Sequence, residues 1–320
     1  MRNPFTPTFG TIPPVMAGRE RLVATLVQAL ENGPGDPNLA TLLVGARGTG
    51  KTALLSRIER EAEAAGWVTA SVSALPGMLD DILIRGRRAA AHLIETSESP
   101  RIKGVNLAPF GGIELDYPDN PLQNWRSRME DLLDELEAHQ VGLLVTIDEV
   151  NPKLDEMVRF TSDFQHFVRE ERRVGVVMAG LPGKISALVS HSDISFLRRA
   201  RHHHFGRISD AEIQVAFNDT VQEAGRHIGY EAMREAIRAI NGFPYMMQLV
   251  GYEAWNQSPD TEELSLDDVL KGIDLARDEM SSHILEATFR ELSRKDRHSQ
   301  LPCWRTRAKA PFPTLQHSWA

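Results

Sequence analysis

The eight-residue stretch Gly45-Ala46-Arg47-Gly48-Thr49-Gly50-Lys51-Thr52 constrains the fold of this 320-residue chain more than any other part of its sequence. It matches the phosphate-binding pattern G-x-x-x-x-G-K-[ST], in which backbone N–H groups surround a phosphate. The apolar run Leu42-Leu43-Val44 precedes it and a helical pattern follows it. The positive end of that helix would add to the attraction for anions. The pattern therefore predicts a strand, a phosphate loop and a helix in this order.

The residue types in this loop indicate what its positions do. Its three glycines permit positive φ, so successive N–H groups can point at a phosphate without a side chain in the way. Lys51 is expected to bridge β- and γ-phosphate oxygens, and the Thr52 hydroxyl to bind Mg²⁺. All of residues 45–52 are predicted to bind a nucleotide. The alternative is an ordinary glycine-rich turn with an exposed lysine.

Apolar runs alternate with helical patterns over the first two thirds of the chain. The predicted strands are residues 41–44, 67–72, 142–147, 175–179 and 202–208. Strands joined by helices in this order form a parallel sheet with helices on both faces, which is a three-layer α/β architecture. From Ser209 onward the pattern is helical only, and it opens with the capping box Ser209-Asp210-Ala211-Glu212.

These patterns divide the chain into three parts. Residues 1–206 are predicted to form a nucleotide-binding αβα domain, and residues 207–292 an all-helical domain. The first domain would carry an extended arm, 1–17, and an insertion at about 97–120. This insertion is rich in Pro, Gly and Asn and could hold a hairpin at Phe110-Gly111-Gly112. Residues 293–320 are predicted to be an irregular tail, because they contain prolines and have no amphipathic period.

Two adjacent carboxylates, Asp148 and Glu149, end the buried run at 142–147. Asp148 is expected to hold Mg²⁺ through its water shell. Glu149, one residue further on, could orient or polarise the water that attacks the γ-phosphorus. Acidic residues at the end of a strand can instead simply face solvent. Their pairing with a phosphate loop favours the functional interpretation and predicts a hydrolase.

Four segments together resemble the AAA+ ATPases, in particular the bacterial and archaeal branch related to origin-recognition-complex ATPases and to signal-transduction ATPases with numerous domains (STAND). They are Gly18-Arg19-Glu20, the loop at 45–52, Leu144-Val145-Thr146-Ile147-Asp148-Glu149 and Met178-Ala179-Gly180-Leu181-Pro182. The likeness covers about residues 10–295. It implies a P-loop NTPase fold with a five-stranded sheet, a helical lid, and ATP between them. Gly18 and Arg19 would then border the adenine.

The resemblance also assigns residues nearer the end of the chain. Gly242-Phe243-Pro244 is similar to the Gly-x-Pro motif at which the lid meets the nucleotide, so Pro244 would bind the cofactor; from the residues alone it is a helix boundary. Arg198 and Arg199 are candidates for an arginine that reaches the γ-phosphate of a neighbouring subunit. The alternative is that these arginines form surface ion pairs.

The end of the fourth strand departs from the family pattern. Many AAA+ proteins have a polar residue there that positions the lytic water, whereas this strand ends in Val177-Met178-Ala179-Gly180. Hydrolysis is therefore expected to be slow, or to be governed elsewhere.

Composition excludes several function classes. No apolar run is long enough to span a bilayer, so a membrane role is not expected. The start has no apolar segment of the secretory kind, so the expected location is the cytoplasm. A single cysteine, Cys303, allows no internal disulfide. His202-His203-His204 is a poor metal site, because consecutive strand residues face opposite sides. The net charge of −8 argues against nonspecific nucleic-acid binding by the whole chain, although a local basic patch could still bind nucleic acid.

The sequence thus predicts an ATP-binding and ATP-hydrolysing AAA+ switch with Mg²⁺ as its metal, and with self-association or a protein partner. Core and lid would move relative to each other. One alternative is a DNA-associated, initiator-like or regulatory ATPase, although DNA binding is expected of an intact homologue more than of this chain. Another is a truncated product without output, since residues 298–320 could arise from a frameshift in a winged helix. A native basic tail is the remaining possibility.

Overall fold

The computed structural model describes residues 1–8, 10–96, 125–191 and 194–281, with the side chains of residues 92–96 and of Ser195 left aside. The predicted insertion with its hairpin and the predicted tail lie outside these residues. Among the helices that the structure describes, none combines the length and apolar character that a membrane span requires.

Five parallel strands form the central sheet, in the order β2-β3-β4-β1-β5. Their bounds are β1 Ala40–Gly45, β2 Val68–Ser73, β3 Leu143–Asp148, β4 Val174–Gly180 and β5 Arg201–Phe205. The register pairs Val44 with Gly180 and Ser73 with Asp148. The phosphate loop after β1, the acid pair after β3 and the turn after β4 therefore meet at one edge of the sheet, where ligands bind in parallel α/β folds.

Helices cover both faces of this sheet and confirm the predicted α/β fold. They are α1 Glu20–Asn32, α2 Lys51–Ala64, α3 Met78–Thr96, α4 Trp125–Ala138, α5 Asp155–Arg169 and α6 Pro182–Val189. Side chains alternate along each strand, so Val145 and Ile147 face the cluster of α3–α6, whereas Leu144 faces α1 and α2. The central strands β1, β3 and β4 are buried on both faces, which explains why they are nearly continuous apolar runs.

The segment after Ile208 packs around a hydrophobic cluster of its own. Its helices are α7 Asp210–Glu223, α8 Tyr230–Ile240, α9 Pro244–Gln257 and α10 Leu266–Met280. The predicted capping box at Ser209 and Glu212 is present. The prediction of helices only was wrong, since β6 His227–Ile228 and β7 Glu263–Leu264 form a small parallel sheet. Two-residue strands are too short to produce an alternating pattern in the sequence.

The N-terminal arm packs on these helices. Phe5 is 2% exposed, belongs to their hydrophobic cluster and lies 5.0 Å from the ring of Phe217. The backbone N–H of Thr6 donates to Oε1 of Gln248 on α9 at 2.9 Å. The sequence assigned residues 1–17 to the nucleotide-binding domain, whereas the structure joins the beginning of this arm to the helical core.

Candidate functional site

The glycine-rich loop turns tightly from β1 into α2. Gly48 and Gly50 have φ of 75° and 83°, a backbone conformation in which a residue with a side chain would be strained. Gly45 is required for a different reason, because a Cβ there would lie 2.7 Å from Cβ of Phe205 and 2.9 Å from Oγ1 of Thr49. The close approach of β5 thus fixes the residue type at the first position of the loop.

Lys51 bends back over the loop that precedes it. Its Nζ donates to the carbonyl oxygens of Gly45 at 2.9 Å and Ala46 at 2.7 Å. Burial lowers the pKa of Lys51, and the carboxylates of Asp148 and Glu149 oppose that shift. The ammonium is therefore partly desolvated and held at the rim of the loop, where a bound anion would stabilise its charge.

The acid pair lies directly opposite the start of α2. The Thr52 hydroxyl donates to Oδ2 of Asp148 at 2.6 Å, and the backbone N–H of Glu149 donates to Oδ1 at 2.8 Å. A hydroxyl and a carboxylate side by side are oxygen ligands suited to Mg²⁺. One step down the same face of β3, the buried Thr146 hydroxyl donates to the Glu59 carboxylate. These two contacts hold α2 in register with β3.

Glu149 has an unusual backbone conformation. Its φ is 53°, in the left-handed region that residues other than glycine, asparagine and aspartate rarely adopt. Such a conformation costs on the order of 1 kcal/mol and is common at functional sites. The side chain is exposed and lines the same cavity as Lys51.

Lys51, Thr52, Asp148 and Glu149 all line one cavity of about 390 Å³, which lies between the edge of the sheet and the start of α9. Four cationic side chains line it: Arg19, Arg47, Lys51 and Lys184. Two anionic side chains, Asp148 and Glu149, also line it, so the charged lining has an excess of two positive charges. Together with the oxygen pair at Thr52, this charge balance fits a polyanion that carries a divalent cation.

Arg19 lies in the same cavity at the start of α1. Its guanidinium stacks over the ring of Phe205 at 4.2 Å, and Nη2 is buried without a hydrogen-bond partner among the described residues. Burial lowers the pKa of Arg19, while Glu212 and Glu20 oppose that shift. Gly18 does not line the cavity, but a Cβ there would come within 2.7 Å of Oε1 of Glu212.

The start of α9 contacts the phosphate loop. A Cβ on Gly50 would lie 3.8 Å from Cβ of Pro244, and the backbone N–H of Tyr245 is 3.4 Å from the carbonyl oxygen of Gly48. Pro244 and Tyr245 both line the cavity. The following Met246, Met247 and Leu249 are buried.

Arg198 and Arg199 lie apart from the cavity. They are exposed at the end of a short 3₁₀ helix, Ser195–Arg199, and do not line the cavity. Arg198 donates from Nε to the carbonyl oxygen of Val189 at 3.4 Å. His202, His203 and His204 follow on β5. Within the described residues, no group of three histidine, cysteine or acidic side chains could hold a metal ion.

The sequence missed some residues of the cavity. Thr6, Thr8, Gly10 and Thr11 of the N-terminal arm line it, and so does Lys184 in the first turn of α6. No sequence pattern places the arm, because its contacts depend on helices more than two hundred residues away. Lys184 lies four residues beyond Gly180, the last residue of β4, so no apolar run points to it.

Known proteins resemble this chain in sequence and in fold. A family model described as AAA ATPase domain matches residues 15–178, and no curated protein matches the chain. The ORC2 protein of Aeropyrum pernix, solved as ADPNP-ADP complexes, is 18% identical over 90% of this chain and 74% of its own, with a TM-score of 0.57.

Two other solved structures share the fold. The Walker-type ATPase PABY2304 of Pyrococcus abyssi is 14% identical over 93% of this chain and 86% of its own, with a TM-score of 0.58. The ORC1 protein of Aeropyrum pernix, solved in complex with DNA, is 16% identical over 93% of this chain and 75% of its own, with a TM-score of 0.50. The family match and the five-stranded P-loop fold agree with each other. The chain therefore belongs to the AAA ATPase domain family.

Proposed function

We propose that this chain binds ATP with Mg²⁺ in the cavity at the sheet edge, hydrolyses it, and passes the change to its helical lid, residues 207–281 of the described chain. One observation carries the proposal. The loop from Gly45 to Thr52 and the acid pair are joined by the Thr52–Asp148 hydrogen bond within one positively charged cavity. The related ORC2 structure contains adenine nucleotides, which supports the same choice of ligand.

The phosphate end of the nucleotide would lie over the loop. Its backbone N–H groups and the start of α2 provide donors for phosphate oxygens. Lys51 would exchange its bonds to the carbonyl oxygens of Gly45 and Ala46 for stronger, charge-assisted bonds to β- and γ-phosphate oxygens. Thr52 and Asp148 would hold Mg²⁺, which supplies charge neutralisation at the phosphates.

Glu149 would act on the attacking water. Its carboxylate projects from the turn after β3 and lines the cavity beyond Asp148. From there it could accept a hydrogen bond from water and orient it in line with the γ-phosphorus. Asp148 has a different role, because its Oδ2 lies 2.6 Å from the Thr52 hydroxyl and would hold Mg²⁺ with it.

The adenine of the nucleotide would meet the helical lid at the other end of the cavity. Val15 lines it from the N-terminal arm, Arg19 from the start of α1, and Pro244 and Tyr245 from α9. Arg19 would border the adenine, and Gly18 would hold the backbone next to it. Because α9 touches the phosphate loop directly, a change at the phosphates could shift the helical lid.

A second copy of this chain is the partner that the position of Arg198 and Arg199 favours. Arg198 and Arg199 are exposed and do not line the cavity, so we assign them to the site of a second copy and not to that of their own chain. An arginine so placed could complete the site of a second copy, where it would stabilise charge on the γ-phosphate. Turnover per chain should then rise with protein concentration, and R198A or R199A should remove that rise.

The binding step is tested by Lys51→Ala. The variant should lose ATP binding, measured by calorimetry with Mg²⁺ present. Lys153→Ala is a matched control, because Lys153 is exposed and lies outside the cavity lining. Unchanged ATP affinity in the Lys51 variant would remove the loop from its proposed role.

The hydrolytic step is tested by Glu149→Gln. Binding should persist while turnover falls by roughly 10²- to 10⁴-fold, the usual contribution of a general base. Glu171→Gln is a close control, since Glu171 is also exposed and has a positive φ of 55° but does not line the cavity. Undiminished release of phosphate by the Glu149 variant would contradict its assignment.

A second candidate is a DNA-associated regulator, which the likeness to the DNA-bound ORC1 favours. The net charge of −8 opposes it. Strong, salt-sensitive binding of duplex DNA by the purified chain would support this candidate, and its absence would leave the ATPase switch with a protein partner.

A further inference from the structure

Lys184 is a cation of the cavity that the proposed mechanism has not used. It lies in the first turn of α6 and lines the cavity beside Gly180 and Leu181. The residue is partly buried, and within the described part of the chain no hydrogen bond or ion pair joins it to another side chain. It lines the cavity together with the three other cationic side chains, Arg19, Arg47 and Lys51.

The strand order places Lys184 at the phosphate end. β4 lies between β1, which leads into the phosphate loop, and β3, which leads into the acid pair. Gly180 is opposite Val44, and the backbone N–H of Val150, next to Glu149, donates to the carbonyl oxygen of Ala179 at 2.9 Å. The turn into α6 therefore begins between the loop and the acids. Arg19, by contrast, lines the cavity from α1.

Lys184 and the N-terminus of α6 both present positive charge at this position. The N-terminus of a helix carries a partial positive charge, so a cation in the first turn is repelled. No acidic residue lies in the first turn of α6 to offset that repulsion. A phosphate in front of Lys184 would reverse the sign, because the helix end and the ammonium would then both attract it.

We propose that Lys184 contacts the terminal phosphate of ATP and thereby distinguishes ATP from ADP; this inference rests on the proposed function. β4 itself ends in Ala179 and Gly180, which offer no polar side chain. Lys184 supplies a polar group from the next turn of the chain instead. It is a ligand-contacting residue in this assignment, and it adds charge stabilisation where the γ-phosphate separates from the nucleotide.

The test compares two ligands in four proteins. Calorimetry with Mg²⁺ measures Kd for ADP and for the non-hydrolysable imido analogue of ATP, in the unmodified chain, Lys184→Ala, Lys184→Arg and Lys153→Ala. Lys184→Ala should weaken the ATP analogue about tenfold or more, as expected for loss of one charged contact, and change ADP by less than about twofold. Lys184→Arg should keep most of the preference, and Lys153→Ala all of it.

The ratio of the two affinities separates this role from a structural one. A variant that merely disturbs the cavity weakens both ligands equally, and that result would overturn the proposal, as would an unchanged ratio in Lys184→Ala. Failure of the proposed function is distinct, because the unmodified chain would then bind neither ligand. Selective loss of the ATP analogue supports both.

Discussion

Gly251 and Phe5 provide a test of how the N-terminal arm is held. Gly251 lies inside α9, and a Cβ added there would come within 2.3 Å of Cδ1 and Cε1 of Phe5. The Phe5 ring is 2% exposed and packs on Phe217. The ring and the bare backbone of Gly251 thus occupy one space, which predicts that substitutions at the two positions will not be additive.

The expected magnitudes follow from packing. Phe5→Ala should cost about 3–5 kcal/mol of unfolding free energy, because it removes a buried ring and leaves a cavity. Gly251→Ala should cost about 1–3 kcal/mol from overpacking, less roughly 1 kcal/mol that alanine gains over glycine in a helix. Once Phe5 is alanine, the new methyl group has room. Gly251→Ala should then be neutral or stabilise by up to about 1 kcal/mol.

Urea denaturation of the four proteins of this cycle, followed by far-UV circular dichroism, measures the coupling. Val215→Ala is a control for a truncation that removes no buried contact, since Val215 is 59% exposed on α7. The same ΔΔG for Gly251→Ala with and without the Phe5 ring would refute the packing described above. It would mean that the arm does not rest on α9.

Two other predictions concern the helical segment. Asp268→Asn should lower stability at pH 7 by roughly 2 kcal/mol, because two serine hydroxyls and a backbone N–H donate to its buried carboxylate. Burial alone would raise the pKa of Asp268, but those hydrogen bonds lower it, so its contribution is lost as pH falls below about 4 and the two urea curves should converge there. Gly242→Ala should cost about 2 kcal/mol or more, since φ is 80° and a Cβ would lie 2.5 Å from Cβ of Arg207. Gly66→Ala, with φ of 78° and open space just after α2, should cost only about 1 kcal/mol in the same thermal melts.

The strands and the loop were predictable because their signals are local. β1 was predicted at 41–44 and spans Ala40–Gly45, and β3 was predicted at 142–147 and spans Leu143–Asp148. Burial on both sheet faces imposes continuous apolar runs, which a reader can count without knowing the fold. The same holds for the capping box at Ser209, whose two reciprocal bonds span only three residues.

Other features depended on contacts that are distant along the chain. Phe5 meets Phe217 and Gly251 only after the helical segment has folded, and nothing in its own surroundings marks it as core. Arg226 is buried at 3% exposure because its Nη2 donates to Thr261 and to the carbonyl oxygen of Glu263 at the small sheet. A sequence pattern would place an arginine on the surface.

The strand order explains why the site could be predicted only in part. β2 follows β1 in the chain, but β3 and β4 lie between them in the sheet, so residues far apart in sequence become the neighbours of the phosphate loop. Asp148 was found because its carboxylate ends an apolar run, a signal that survives without knowledge of that order. Lys184 ends no run and was found only when β4 was seen beside β1. A residue of the first turn of α6 therefore belongs to the phosphate end of the cavity for a topological reason, and its effect on the preference for ATP over ADP measures that placement directly.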